Sequence, residues 1–207
     1  MAAKRPDEVT SLSLLTQPNH NKEVFPTKII AISGHAGHGK DTAANFISAA
    51  LEKRGYRVLI THYADLLKYI CRQYFGWDGQ KDEKGRALLQ HVGTDIVRKQ
   101  LPNFWVGFMG LFLWLFRDQW DYVIIPDARF PNEISYLEGA DFDVIHMRIV
   151  RPGYEGALTE DQKSHASETA LDGIEPDIIV YNDGSLEDLE KNMNDFVEED
   201  TDDHKGE

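Results

Sequence analysis

The stretch from Lys28 to Asn45 constrains this chain more than any other. It reads Lys-Ile-Ile-Ala-Ile-Ser, then Gly-His-Ala-Gly-His-Gly-Lys-Asp-Thr, then Ala-Ala-Asn. A strand-like apolar run feeds a loop with glycines at 34, 37 and 39, and good helix formers follow at once from Lys40. Gly34, the four residues after it, Gly39 and Lys40 match the first seven positions of the phosphate-loop pattern, in the strand-to-helix setting the pattern requires. Glycines let the backbone turn so that its N–H groups face one anion. The helix N-terminus adds partial positive charge, and Lys40 adds a whole one. The segment is built to hold a polyphosphate.

The match departs at one place. Where the pattern usually carries a hydroxyl residue for magnesium stands Asp41, and the hydroxyl follows one position later at Thr42. Asp41 is expected to reach a magnesium ion directly or through its water, as a hard oxygen ligand can. Thr42 then lies on the first helical turn, close to the phosphates. The plainer reading of Asp41 is an acid that favours a helix N-terminus.

A chain of 207 residues is long enough for one globular domain with a substantial core. A net charge of −13 is unlike that of a protein that grips long nucleic acid through its backbone. A small anionic ligand in a locally positive pocket fits it. The one cysteine, Cys71, excludes an internal disulfide and suits a reducing compartment, where it reads as a small buried residue. No secretory signal is readable in the first 27 residues. The apolar run from Phe104 to Phe116 is shorter than the roughly 20 residues that span a bilayer. It reads as a buried helix, with subunit contact, and so a homodimer, as the other reading. These features predict a soluble, cytoplasmic protein without membrane contact. Eight histidines show no zinc-ligand spacing.

Residues 1 to 27 have no clean period and read as a flexible extension. After the first helix, ending near Gly55, Arg57 to Tyr63 reads as a second strand, and the strand–helix–strand unit implies parallel pairing. A helix opens at Ala64. Asp65 and Lys68, just past a strand end, are either substrate contacts or a helix cap and a solvated lysine. A helix is expected from Arg86 to Arg98, with Leu88, Leu89, Val92, Ile96 and Val97 as its core stripe. Arg86, Gln90, Thr94 and Arg98 recur at spacings of four on another stripe, which can grip a second phosphate and a base edge.

Tyr122 to Pro126 reads as a third, buried strand that ends at Asp127-Ala128-Arg129-Phe130-Pro131-Asn132-Glu133. An aspartate at such a strand end is placed for a magnesium shell, and Arg129 can hold a phosphoryl group bidentately. The alternative is an ion pair closing a turn. A fourth strand runs from Asp143 to Val150, a polar stretch of about 151–167 has the character of a lid, and Asp177 to Tyr181 is a fifth strand. Ser185 begins a last amphipathic helix through Phe196. Residues 198 to 207 read as a disordered acidic tail.

Taken together, the loop ending Gly-Lys-Asp-Thr, Ala64-Asp65 with Lys68, Arg86 with Leu89-Gln90 and Gly93-Thr94, Trp105, and Asp127 with Arg129 and Glu133 resemble the deoxynucleoside monophosphate kinases of bacteriophages. The resemblance covers about Lys28 to Val197. It implies an α/β, three-layer P-loop kinase fold over 28–197, with a five-stranded, mostly parallel sheet flanked by helices and a mobile lid. It implies transfer of the γ-phosphoryl of ATP to a deoxynucleoside monophosphate, giving ADP and the diphosphate, in the host cytoplasm if the source is a phage. Gly37, Gly39, Lys40, Asp41 and Thr42 would hold ATP and its magnesium. Lys68, Arg86, Gln90, Gly93, Thr94 and Trp105 would line the monophosphate site. Trp105 would stack on the base or else be buried. Asp127, Arg129 and Glu133 would lie between the substrates, with Lys40, Arg129 and Asp127 catalytic, and Arg148 and Arg151 would neutralise charge at the lid. Two other functions share these features: a P-loop kinase for another acceptor, such as a phosphorylated isoprenoid precursor, and a non-catalytic nucleotide-binding regulator.

Overall fold

The computed structural model describes residues 27–154, 156 and 158–203. The expected N-terminal extension lies outside them except for Thr27, whose hydroxyl donates to the carbonyls of Arg117 and Trp120 at 2.7 and 3.0 Å. Five strands, β1 (Lys28–Ser33), β2 (Val58–Ile60), β3 (Tyr122–Ile125), β4 (Asp143–Val150) and β5 (Ile178–Tyr181), form one sheet in the order β2-β3-β1-β4-β5. Every pairing is parallel. A parallel sheet needs cover on both faces, and strand alternation supplies two apolar ones. Ile30 and Ile32 of β1, with Ile124 and Met147, face α1 (Lys40–Lys53) and α8 (Leu186–Asp203), which contribute Ile47, Leu51, Leu189 and Met193. Ile29, Val123 and Ile125 face α4 (Phe104–Leu115) and α5 (Asn132–Glu138) through Val106, Met109, Leu113 and Leu137. The result is three layers, with the carboxyl ends of β1 and β3 opening at one edge.

The remaining helices are α2 (Ala64–Tyr74), α3 (Glu83–Gln90), α6 (Glu160–Ser164) and α7 (Ala166–Thr169). Several expectations are corrected. The second strand is only Val58–Ile60, because among the described residues it is an edge strand paired with β3, which ends before Pro126. The helix expected over 86–98 starts earlier, at Glu83, where the Asp82 carboxylate caps the Gly85 N–H at 2.8 Å. It then continues as a π-helix over His91–Arg98. That wider turn breaks the expected core stripe: Val92 is 3% exposed, but Ile96, four residues on, is 36% exposed. The buried-helix reading of Phe104–Phe116 holds for one face only, since Phe108, Leu111, Trp114 and Leu115 are about half exposed. Subunit contact, the other reading of this run, concerns that outer face.

The acidic tail expected from Glu198 is helical as far as Asp203. Thr201 is buried and its hydroxyl bonds to the Val197 carbonyl at 2.8 Å, which prolongs the packed face of α8. The Asp200 carboxylate pairs with Lys28 and accepts from the Tyr122 hydroxyl at 2.9 Å. Residues 204–207 lie outside the described residues.

One buried polar pair sits inside the sheet. Ser33 Oγ and His146 Nε2 are 2.8 Å apart, both nearly inaccessible. Burial pulls the imidazole from its usual 6.5 down to about 4. Below pH 6.5 the unfolded chain therefore takes up a proton that the folded chain refuses until about pH 4. Stability is lost as pH falls through that window, on the order of 3 kcal/mol in all. Urea denaturation from pH 7 to pH 4 checks this, and His146→Gln is expected to flatten that part of the curve.

Candidate active site

The loop between β1 and α1 is shaped by its glycines. Gly34 has φ 136°, and a Cβ there would lie 2.3 Å from the Ile149 carbonyl oxygen, so no other residue fits between β1 and β4. Gly39, at φ 98°, turns the chain into α1 and lies against Asn182, whose amide nitrogen donates to the His38 carbonyl at 2.9 Å. Lys40 folds back over the loop and donates to the carbonyls of Gly34 and His35 at 2.6 and 2.9 Å. Burial, then the nearby Arg129, draws its ammonium down to about 8.

Above the loop lies a cleft of about 650 Å³. Gly37, Lys40 and Asp41 form its floor, and Asp127 and Arg129 its back wall at the end of β3. Lys68 of α2, Arg86 and Gln90 of α3, and Gly93 and Thr94 of the π-helix line the far side, with Trp105 and Glu133. Gly39 and Thr42 are not on its surface. Arg148 is elsewhere too: its guanidinium donates to the carbonyls of Leu171 and Ile174 at 2.5 and 2.6 Å. It borders a smaller cavity of about 260 Å³ behind the loop. Arg151 lies over the Tyr154 ring, 4.8 Å from its centroid, outside the cleft. These two arginines are expected at the lid; the structure places both outside the cleft lining, with β4 presenting Arg148 to the segment after α7.

Glu133 borders the cleft with its oxygens already engaged. Oε2 accepts from the backbone N–H groups of Arg129 and Phe130 at 2.7 and 3.1 Å, and Oε1 from Arg98 at 2.5 Å. Burial pushes its carboxyl up to about 7, against the pull of Arg98. Its geometry is that of a buried joint holding the Arg129 turn rather than a group reaching substrate. Asp127 is similarly bound, accepting from the Tyr63 and Ala64 N–H groups at 2.9 and 3.0 Å, so β3 caps the start of α2. The Trp105 indole is 4% exposed, and its N–H donates to the Gly93 carbonyl at 3.0 Å. Burial is therefore what the structure shows for Trp105, and the indole fixes the π-helical turn that presents Gly93 and Thr94.

Asp41 is open to solvent and stands 3.5 Å from His62. A hydrogen bond between them lowers the carboxyl and raises the imidazole. Lys68 is paired with Asp65 at 2.9 Å, on the rim. Several other residues line the cleft, Arg98, His62, Phe130 and Glu168 among them. Arg98 was legible in the stripe of four-residue spacings. His62, Phe130 and Glu168 carry no local signal, since tertiary contacts alone bring them in. Arg98 also covers the Phe130 ring at 3.8 Å, which stiffens the wall.

The parallel sheet, the glycine loop at the end of its central strand and the cleft above define a P-loop kinase fold. A solved sugar kinase from Janibacter sp. HTCC2649 shares that fold, with a TM-score of 0.51 at 14% identity over 84% of this chain and 95% of that one. Residues 68–193, more than half of the chain, match the family model for deoxynucleotide monophosphate kinase, and the chain belongs to that family. It is 35% identical over 106 residues to the deoxynucleotide monophosphate kinase of Enterobacteria phage T4, covering 50% of this chain and 41% of that protein. It is 29% identical over 188 residues to a protein of Acanthamoeba polyphaga mimivirus, covering 78% of this chain and 91% of that one. The match thus spans less than half the length of the phage T4 relative.

Proposed function

We propose that this chain transfers the γ-phosphoryl of ATP to the 5′-phosphate of a deoxynucleoside monophosphate. The observation that carries the reading is one continuous cleft joining the phosphate loop and Lys40, through Arg129, to Arg86, Gln90 and Thr94. A donor polyphosphate on the loop and an acceptor phosphate beside Arg86 meet at Arg129. An oxygen of the acceptor phosphate attacks the γ-phosphorus, the bond to the β-phosphate oxygen breaks, and ADP leaves as the diphosphate forms. Such a transfer needs alignment and neutralisation of charge more than covalent help. Lys40 and the loop N–H groups hold the donor, Arg129 neutralises the moving group, and Arg86 with Thr94 orients the acceptor. Asp127 sets the spacing between strand end and α2.

Magnesium fits this arrangement. Among the described residues no group of three or more His, Cys, Asp or Glu side chains could hold a metal. An ion held by one or two carboxylates together with substrate phosphates needs no such cage. Asp41, accessible on the cleft floor, would be the ligand, with Thr42 beside it in sequence but off the cleft surface. The bound ion would neutralise charge on the phosphate oxygens. The ligands are small nucleotides rather than long nucleic acid, in keeping with the net charge of −13. The setting is a reducing cytoplasm. No helix of the described residues is long and apolar enough to cross a membrane.

The test is incubation of the purified protein with ATP, magnesium and each of the four deoxynucleoside monophosphates, ribonucleotides alongside, following ADP and diphosphate. One diphosphate per ADP from at least one deoxy substrate is expected. ATP binding with no transfer to any of them removes this reading in favour of another acceptor or a regulatory role.

A further inference from the structure

The carboxylate of Glu168, on α7, reaches the phosphate loop and Arg129 together. Oε2 accepts from the backbone N–H of Ala36, inside the loop, at 3.2 Å. Oε1 is paired with the guanidinium of Arg129, which also donates to the Ser167 carbonyl at 2.8 Å. The charge of Lys40 responds to the same carboxylate. A loop N–H, a guanidinium and an ammonium are the donors a phosphoryl group would need here. The N–H of Ala36 and the guanidinium of Arg129 are taken instead by a side chain only 7% exposed, while the Lys40 ammonium is held by the Gly34 and His35 carbonyls. A bound polyphosphate and this carboxylate cannot share that N–H and guanidinium, since two anions at such a distance repel strongly.

The element carrying Glu168 is held by polar contacts. α7 sends no side chain into the apolar core. Its start is closed by His165, whose imidazole accepts from the Ser167 N–H at 3.2 Å. The core anchor comes only after the helix, where Leu171 packs with Ala31, Ala128 and Ile134. Withdrawing Glu168 therefore breaks polar contacts and leaves the apolar core closed.

We propose that Glu168 is an internal stand-in for phosphate, bonded to the loop and to Arg129 and displaced when the donor nucleotide binds. Displacement frees Arg129 from the carboxylate and hands it to the incoming phosphoryl group. Nucleotide arrival is thereby coupled to movement of α7. The idea rests on the kinase reading for the identity of the natural ligand, so its test reads binding alone, with inorganic tripolyphosphate as the probe.

Calorimetry on the wild-type protein and Glu168→Gln is the experiment. Removing the competing charge is expected to tighten tripolyphosphate binding about tenfold, the gain when a competent state populated near one part in ten becomes dominant. Equal or weaker binding by a variant that melts like the wild type overturns the proposal. If the variant does not fold, amide exchange on the wild type decides: tripolyphosphate is expected to speed exchange across 166–170, and unchanged or slower exchange overturns it. Neither readout depends on diphosphate formation, so failure of this proposal and failure of the kinase reading are separate observations.

Discussion

Replacing Lys40 with alanine is expected to lower kcat/KM for ATP by about 10²- to 10³-fold while the protein stays folded. The ammonium lies on the cleft floor, where it bonds to the loop carbonyls of Gly34 and His35. Those neutral carbonyls offset only part of the cost of burying the cation, which burial draws down to about 8. A polyphosphate would take it from them and restore its full charge. The fold gains little from this lysine, because removing a buried cation relieves its desolvation as it deletes two hydrogen bonds. A change in unfolding free energy under about 1 kcal/mol follows. Steady-state kinetics with a thermal melt alongside would settle both parts. Turnover within tenfold of wild type in the alanine variant would contradict the role given to the loop.

Glu133→Ala is expected to act on the fold first. It leaves Arg98, itself only 12% exposed, as an unpaired cation and orphans the N–H groups of Arg129 and Phe130. Breaking one side of a buried ion pair costs about 3–5 kcal/mol. Glu133→Gln keeps an acceptor for the backbone and loses less, about 1–3 kcal/mol. Urea denaturation of both variants gives the order Ala, then Gln, then wild type in rising stability. An alanine variant within 1 kcal/mol of wild type would show that Arg98 finds another partner, and that the wall behind Arg129 does not hang on this carboxylate. The measured rates should follow the stability of that wall, because Arg129 is set by the turn whose N–H groups Glu133 holds.

The two residues illustrate how far the chain could be read before its fold was known. Lys40 was legible because its meaning is local: strand, glycine loop and lysine are contiguous, and the backbone conformation they require leaves few sequence choices. Glu133 was legible as a member of the site through the ordered series after β3, but its role was not. A buried carboxylate with backbone and arginine partners looks the same in sequence as one that faces substrate. The partners of Arg148 were not legible for a related reason. Its position near the end of β4 is right, yet its reach depends on where Leu171 and Ile174 lie, more than 20 residues on. The π-helical turn at His91–Arg98 changed which residues of a correctly located helix face inward, because the 3.6-residue period no longer applied.

What the sequence by itself determined is the set of elements whose signals are short-range: five strands, the phosphate loop, and the helices that cover the sheet. Apolar alternation and glycine chemistry act within a few residues, so they survive being read one window at a time. Tertiary structure alone decided the strand order, the outward face of α4, the buried joint of Arg98 with Glu133, and the meeting of Glu168 with Ala36 across 132 residues. Those are choices among partners equally compatible with each local pattern. Only the closed three-layer packing, which buries some polar groups and must satisfy each of them, selects one.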